Sequence, residues 1–146
     1  MSANAIVFLA RPSLGSVMSL LEAADLPTSD LTESHLEHFF ACGSRNGLTG
    51  LVGVEICGSD ALLRSLVVSA SARTKGTGSA LVAHTEQYAR ERGVRSMYLL
   101  TTSAAPFFER LSYRRIERAL APPSIRATPE FSSICPASSA FMTKQL

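Results

Sequence analysis

The chain lacks any apolar run long enough to cross a bilayer. Ala5 to Ala10 is six residues, and Leu62 to Val68 is broken by Arg64 and Ser65, whereas a spanning helix needs about 20. A basic start followed by a small-residue cleavage site is also missing, so no secretory signal is read. Both absences point to the cytoplasm. Basic residues never run beyond the pair Arg114-Arg115, and the formal charge is only +2. That argues against nucleic acid, which asks for a basic stripe or patch. The 3 cysteines, Cys42, Cys57 and Cys135, form no CxxC, and their odd number argues against a disulfide framework. Three thiolates would suit a soft metal or trivalent arsenic, but a free cysteine is ordinarily a small buried apolar residue. His35, His38 and His84 have no metal spacing on a helix face, and no Ser-His-Asp set or zinc site is present. No metal is expected. Two phosphate loops are missing as well: GxxxxGK[ST], and GxGxxG between parallel strands.

What is there is globular: 46% hydrophobic and 18% charged residues over 146 positions, enough for one domain around one core. No internal repeat or linker interrupts it, so residues 1–146 are expected to form a single domain.

Periodicity gives the elements. Ala5–Leu9 reads as a short buried strand. Leu14, Val17, Met18, Leu21 and Ala24 make a helical stripe over Ser13–Ala24, with Pro12 and Ser13 suiting its start and Pro27 just past its end. A short helix near Thr32–Leu36 leads into a strand near Phe39–Cys42. Leu51–Cys57 alternates as a strand does, Gly58-Ser59-Asp60 reads as a turn, and Leu62–Ser69 follows as the second arm of a hairpin. Gly76–Arg92 is the best helix. Leu81, Val82, Thr85, Tyr88 and Ala89 line one side; His84, Glu86, Gln87, Arg90 and Glu91 are expected on the polar side, and Gly93 ends it. A strand is expected over Arg95–Thr101, then a short helix over Ala104–Leu111 with Ser103 as N-cap. A strand at Tyr113–Arg118, a Pro- and Ser-rich excursion with a short helix near Pro129–Ile134, and a last strand at Ala140–Lys144 complete an α+β chain.

The most informative segment joins the second hairpin strand to the long helix. Leu66, Val67 and Val68 end the strand. The loop holds Arg73, Thr74, Lys75, Gly76, Thr77, Gly78 and Ser79. A helix start offers free backbone N–H groups and the positive end of the dipole, which together bind anions. Gly76 and Gly78 let a ligand approach the backbone, and Arg73 and Lys75 add donors suited to phosphate.

Arg73-x-x-Gly76-x-Gly78 resembles the [QR]-x-x-G-x-[GA] motif of the GNAT acetyltransferases. The resemblance implies a central, mostly antiparallel sheet of six to seven strands flanked by about four helices. It implies acetyl-CoA as co-substrate, its pyrophosphate on Arg73–Ser79 and its pantetheine arm along Leu66, Val67 and Val68. Phe107-Phe108-Glu109-Arg110-Leu111-Ser112-Tyr113 resembles the family's F-Y-E-K-L-G-F segment, with two departures. Ser112 replaces a glycine, and Phe108 replaces the tyrosine that often donates a proton to the departing thiolate. A phenyl ring donates nothing, so the acid is another group, with Tyr113, Ser103, Thr101 and Thr102 as candidates, or water. Leu63-Arg64-Ser65-Leu66, Tyr98-Leu99-Leu100-Thr101-Thr102, Ile125–Phe131 and Cys135-Pro136 resemble a narrower group, the acetyltransferases of arsenic-resistance operons. By analogy with a sister group, this implies a small, amino-acid-like amine as acceptor, arsenic- or phosphorus-containing in some cases. Many relatives pair, so a homodimer is expected.

Direct transfer of an acetyl group needs an aimed, neutral amine and a base. Glu55 is the base candidate, since a carboxylate amid an apolar strand is costly without a partner or a purpose. A turn centred on Ser59-Asp60 places it opposite Arg64. One reading is a cross-strand ion pair. The other makes Glu55 the base, with Arg64 binding an acidic group of the acceptor. The two are compatible. Arg126 is a second candidate for holding such a group, with Arg45 behind it; a solvated surface charge is the alternative for both. A non-catalytic acyl-CoA-binding module and a protein or peptide N-acetyltransferase stand as alternatives.

Overall fold

A computed structural model describes residues 8–26, 28–44, 47–70, 76–134 and 138–146. In chain order the elements are β1 (Leu9–Ala10), α1 (Leu14–Ala23), a 3-10 helix (Glu33–His38), β2 (Phe39–Ser44), β3 (Gly47–Cys57), β4 (Asp60–Val68) and α2 (Thr77–Glu91). Then come β5 (Ser96–Thr101), α3 (Ala105–Arg110), β6 (Arg114–Arg115), a 3-10 turn (Arg118–Leu120), α4 (Pro123–Arg126), a π-helical turn (Glu130–Ile134) and β7 (Ala140–Gln145). Strand order across the seven-stranded sheet is β1-β2-β3-β4-β5-β7-β6. β2 pairs antiparallel with β3, with Phe40 opposite Val52 and a register shift at Cys42/Gly43. β4 runs parallel to β5 over Asp60–Leu62, and β7 is antiparallel to both β5 and β6.

The chain forms two compact units, residues 1–53 with 65–85, and residues 54–64 with 86–146. In the first, α1 begins at Ser13, whose Oγ accepts from the N–H of Ser16 at 3.3 Å, a side-chain cap. Its stripe then buries Val17 and Leu21 against Leu36, Phe39, Ala41 and Leu51, the i, i+4 spacing of a core-facing helix. In the second, Leu62, Tyr98, Ala121, Ile125 and Phe141 make the core.

Three helices end alike. Leu26 N–H donates to Leu21 and Asp25 N–H to Glu22; Val94 to Ala89 and Gly93 to Arg90; Tyr113 to Phe108 and Ser112 to Glu109. Each is a Schellman closure, which requires a left-handed residue at its pivot. The pivots are Asp25 (φ 57°), Gly93 (φ 84°) and Ser112 (φ 77°).

Several expectations need correction. Of the expected strand Ala5–Leu9, residues 5–7 lie outside the described residues, as does Pro27; β1 is Leu9–Ala10. Tyr113–Arg118 contributes only the two residues of β6, because Tyr113 still closes α3 and a 3-10 turn starts at Arg118. α3 is capped by Ala104 rather than Ser103; Thr101 Oγ1 accepts the N–H of Ala104 at 2.9 Å. The helix near Pro129–Ile134 is a π-helical turn, preceded by α4. Two residues expected on the polar side of α2 make inward contacts. His84 stacks on Phe8 at 4.3 Å between ring centroids and meets Phe40 edge-on at 4.6 Å. Glu86 is buried, because Tyr113 and Lys144 supply it with donors.

Candidate active site

The candidate anion-binding element is the start of α2. Gly76 takes φ 74°, a left-handed value that glycine adopts at little cost, and its carbonyl accepts the N–H of Ala80 at 3.0 Å. The helix thus begins immediately after Gly76. The N–H groups of Thr77, Gly78 and Ser79 fall in the first turn, where no intrahelical acceptor exists. Thr77 is buried, Gly78 half-buried and Ser79 exposed. A second glycine seats this turn. A Cβ on Gly50 of β3 would lie 3.0 Å from Leu81 Cδ1 and 3.3 Å from Thr77 Cγ2, so the bare backbone there lets α2 settle on the strand. Arg73, Thr74 and Lys75 lie outside the described residues, as do Arg45 and Cys135.

β4 leads to this element. Leu66, Val67 and Val68 are half-buried, Val67 packs on the first core, and Ser69 N–H donates to the Thr49 carbonyl at 2.8 Å. One feature of β4 escaped the sequence reading. Ser65 stands at φ 59°, a conformation that costs a non-glycine residue roughly 1–2 kcal/mol. A left-handed residue within a strand breaks the regular alternation of backbone groups. No sequence signal marks it, since glycine or asparagine would be the usual sign.

The titratable centre lies in the second unit. Arg64 Nη1 donates to Glu55 Oε2 at 2.7 Å. Its Nη2 lies 3.3 Å from Glu130 Oε1. The Arg64 side chain is 0% exposed, that of Glu130 5% and that of Glu55 15%. Glu55 and Arg64 therefore meet as their spacing implied, and Glu55 alone of the three keeps an appreciable face toward solvent. Its other oxygen accepts no hydrogen bond among the described residues. The Arg64 side chain presents no exposed surface. Glu130 was not anticipated as its partner. The only signal was a carboxylate set between Pro129 and Phe131, in a segment that otherwise reads as apolar and small.

Arg126 bonds within its own segment. Its Nε donates to the Ala121 carbonyl at 3.0 Å and its Nη2 to the Ala119 carbonyl, so it clamps the turn before α4. Tyr113 is buried, and its hydroxyl donates to Glu86 Oε2 at 2.9 Å. Burial, then the nearby Glu86 charge, pushes this phenol far above its ordinary range. Phe108 is buried, its ring edge-on to Phe107 and Tyr113. Burial pushes the thiols of Cys42 and Cys57 up, with the charges of Glu55 and Asp60 adding at Cys57. Among the described residues no helix is long and apolar enough to cross a membrane.

Comparison with known proteins agrees with this geometry. Residues 35–115 match the model of the acetyltransferase (GNAT) domain. An uncharacterized N-acetyltransferase of Chlorobaculum tepidum is 32% identical over 92 residues, 62% of this chain and 59% of the relative. N-acetylglutamate synthase of Neisseria gonorrhoeae, solved with coenzyme A and N-acetyl-glutamate, superposes with a TM-score of 0.82 at 18% identity, over 97% of this chain and 35% of that one. A Mycobacterium tuberculosis protein solved with CoA gives 0.74 at 16% identity, over 96% and 99% of the two chains. The chain thus spans 59% of the curated relative and about a third of the Neisseria enzyme, and its fold is that of these solved structures. With the match covering more than half of its length, the chain belongs to the GNAT acetyltransferase family.

Proposed function

We propose that this chain is an acetyl-CoA-dependent N-acetyltransferase acting, as a single domain over residues 1–146, on the primary amine of a small amino-acid-like acceptor. The observation that carries the reading is the start of α2: a left-handed Gly76, three first-turn N–H groups and Gly50 beneath them, the build of an anion site. In sequence, Arg73 and Lys75 stand just before Gly76 and are the cationic donors of this reading, and Leu66, Val67 and Val68 lead the pantetheine arm toward it. The neighbours solved with CoA support the co-substrate, and the Neisseria structure with N-acetyl-glutamate supports an amino-acid acceptor.

The chemistry asks little of the protein. The acceptor nitrogen attacks the thioester carbonyl carbon, the C–N bond forms, and the C–S bond breaks. Glu55 takes the nitrogen's proton directly or through one water, a role worth about 10²–10⁴-fold in rate. Backbone N–H groups on β4 steady the developing oxyanion. With Phe108 a phenyl ring and the Tyr113 hydroxyl held by Glu86, water protonates the departing thiolate. Arg64 and Arg126 act on the acceptor through the elements they hold: Arg64 through Glu55, Arg126 through the turn it clamps. Resemblance to the arsenic-resistance group directs the acceptor search to arsinic and phosphinic amino acids, and family habit to a cytoplasmic homodimer.

The test is thiol release from acetyl-CoA against a panel of amines: glutamate-like arsinic and phosphinic amino acids, ordinary amino acids, aminoglycosides, polyamines and peptides. Turnover on one small-molecule class, with acetyl-CoA affinity lost in Arg73→Ala, supports the reading. Turnover on peptides alone moves the acceptor to protein. Tight acetyl-CoA binding with no turnover favours a binding module, the reading that Phe108 motivates.

A further inference from the structure

Arg64 is held at two points, by Glu55 at 2.7 Å and by Glu130 at 3.3 Å. A guanidinium is planar, with its N–H groups fixed relative to one another. The carboxylates on its two Nη atoms are therefore joined through one rigid plane, so where Glu55 Oε2 sits is coupled to where Glu130 sits.

Glu130 is itself firmly placed. Thr128 Oγ1 donates to the Ile125 carbonyl at 2.7 Å and accepts the Phe131 N–H at 3.4 Å. Both the N–H and Oγ of Ser132 donate to the Thr128 carbonyl at 3.0 Å. Ile125 is fully buried with Leu62, Tyr98 and Phe141. Leu62 and Arg64 are two apart on β4 and share a face. The segment that covers Leu62 through Ile125 therefore delivers Glu130 to Arg64. The segment is anchored by apolar groups, Ile125 and Phe131 against Phe141. Glu130 also gives Nη2 of a fully buried guanidinium its acceptor, so its removal costs stability as well as position, and dependence on Glu55 separates the two roles.

We propose that Glu130 is a positioning residue for acetyl transfer: acting through Arg64, it fixes the carboxylate of Glu55 in the geometry that accepts the acceptor's proton. This rests on the reading of Glu55 as the base. Glu130 touches no reacting atom.

A mutant cycle on the full chain tests it, with kcat and KM measured for wild type, Glu130→Gln, Glu55→Gln and the double variant. Glu130→Gln should lower kcat by about 10- to 100-fold, the scale of a misplaced catalytic group, with KM for acetyl-CoA unchanged. In the Glu55→Gln background the same substitution should have no further effect on kcat. A purely structural role would lower kcat by the same factor in both backgrounds, since independent effects multiply; that result overturns the proposal. Wild-type kcat in Glu55→Gln would instead remove the base reading, and this proposal with it. If Glu130→Gln does not fold, Glu130→Asp, which withdraws the carboxylate by one methylene, replaces it in the cycle with the same outcomes.

Discussion

The hydroxyl of Tyr113 donates to Oε2 of Glu86 across 2.9 Å, with both side chains buried. Lys144 Nζ reaches both oxygens of the same carboxylate at 3.1 Å. One acid on α2 thus ties together β7 and the turn after α3.

Replacing Glu86 by alanine leaves a phenol and a mostly buried ammonium without an acceptor. We expect Glu86→Ala to destabilise the fold by about 3 kcal/mol, read from urea denaturation. A loss below about 1 kcal/mol would contradict the network's role.

The Tyr113 phenol is raised above its ordinary value by burial, then by the Glu86 charge and hydrogen bond. A group raised on folding contributes stability that is complete below its unfolded value, about 10 for tyrosine. That contribution falls as pH climbs from there toward the folded value. Tyr113→Phe should therefore cost about 1 kcal/mol at pH 8 and progressively less above about pH 10. A gap between the two proteins that stays constant from pH 8 to 11 would contradict this.

Gly53 on β3 faces the ring of Phe39, and a Cβ there would fall 2.4 Å from Cε1 and Cζ. Phe39 is fully buried and cannot swing into solvent. Gly53→Ala should cost about 1–3 kcal/mol by overpacking, and Phe39→Leu should recover part of that loss in the double variant. Equal costs in both backgrounds would show that the two residues do not compete for space.

Ser112 pivots the end of α3 at φ 77°. The left-handed cost to serine exceeds the entropic cost of glycine at a helix C-terminus. Ser112→Gly should raise stability by about 0.5–1 kcal/mol, seen as a higher Tm. An unchanged or lower Tm would mean that the serine makes a compensating contact.

These particulars also show which parts of the structure the sequence could reveal. α2 was legible because its stripe has a 3.6-residue period and Gly93 ends it. The β3–β4 hairpin was legible because strand alternation and a Gly-Ser-Asp turn are both local signals, and they were enough to bring Glu55 to Arg64. The start of α2 at Gly76 was legible because a glycine immediately before a 3.6-residue stripe is a local signal. Glu130 at Arg64, and Tyr113 and Lys144 at Glu86, were not legible. Those contacts join residues distant in sequence and depend on the path of the chain after α3. Ser65 is left-handed without the glycine that would announce it, whereas Ser112 is left-handed where the resembling family segment carries a glycine.

Following the acetyl carbon tests the central claim most directly. Acetyl-CoA labelled with ¹³C at the acetyl carbonyl is mixed with the protein and the best amine of the panel, and the label is observed by NMR. The account predicts that the thioester signal is replaced by an amide signal on the acceptor, and that this conversion slows by about 10²–10⁴-fold in Glu55→Gln. A label that appears as free acetate, or that stays on the thioester while acetyl-CoA binds tightly, would contradict it.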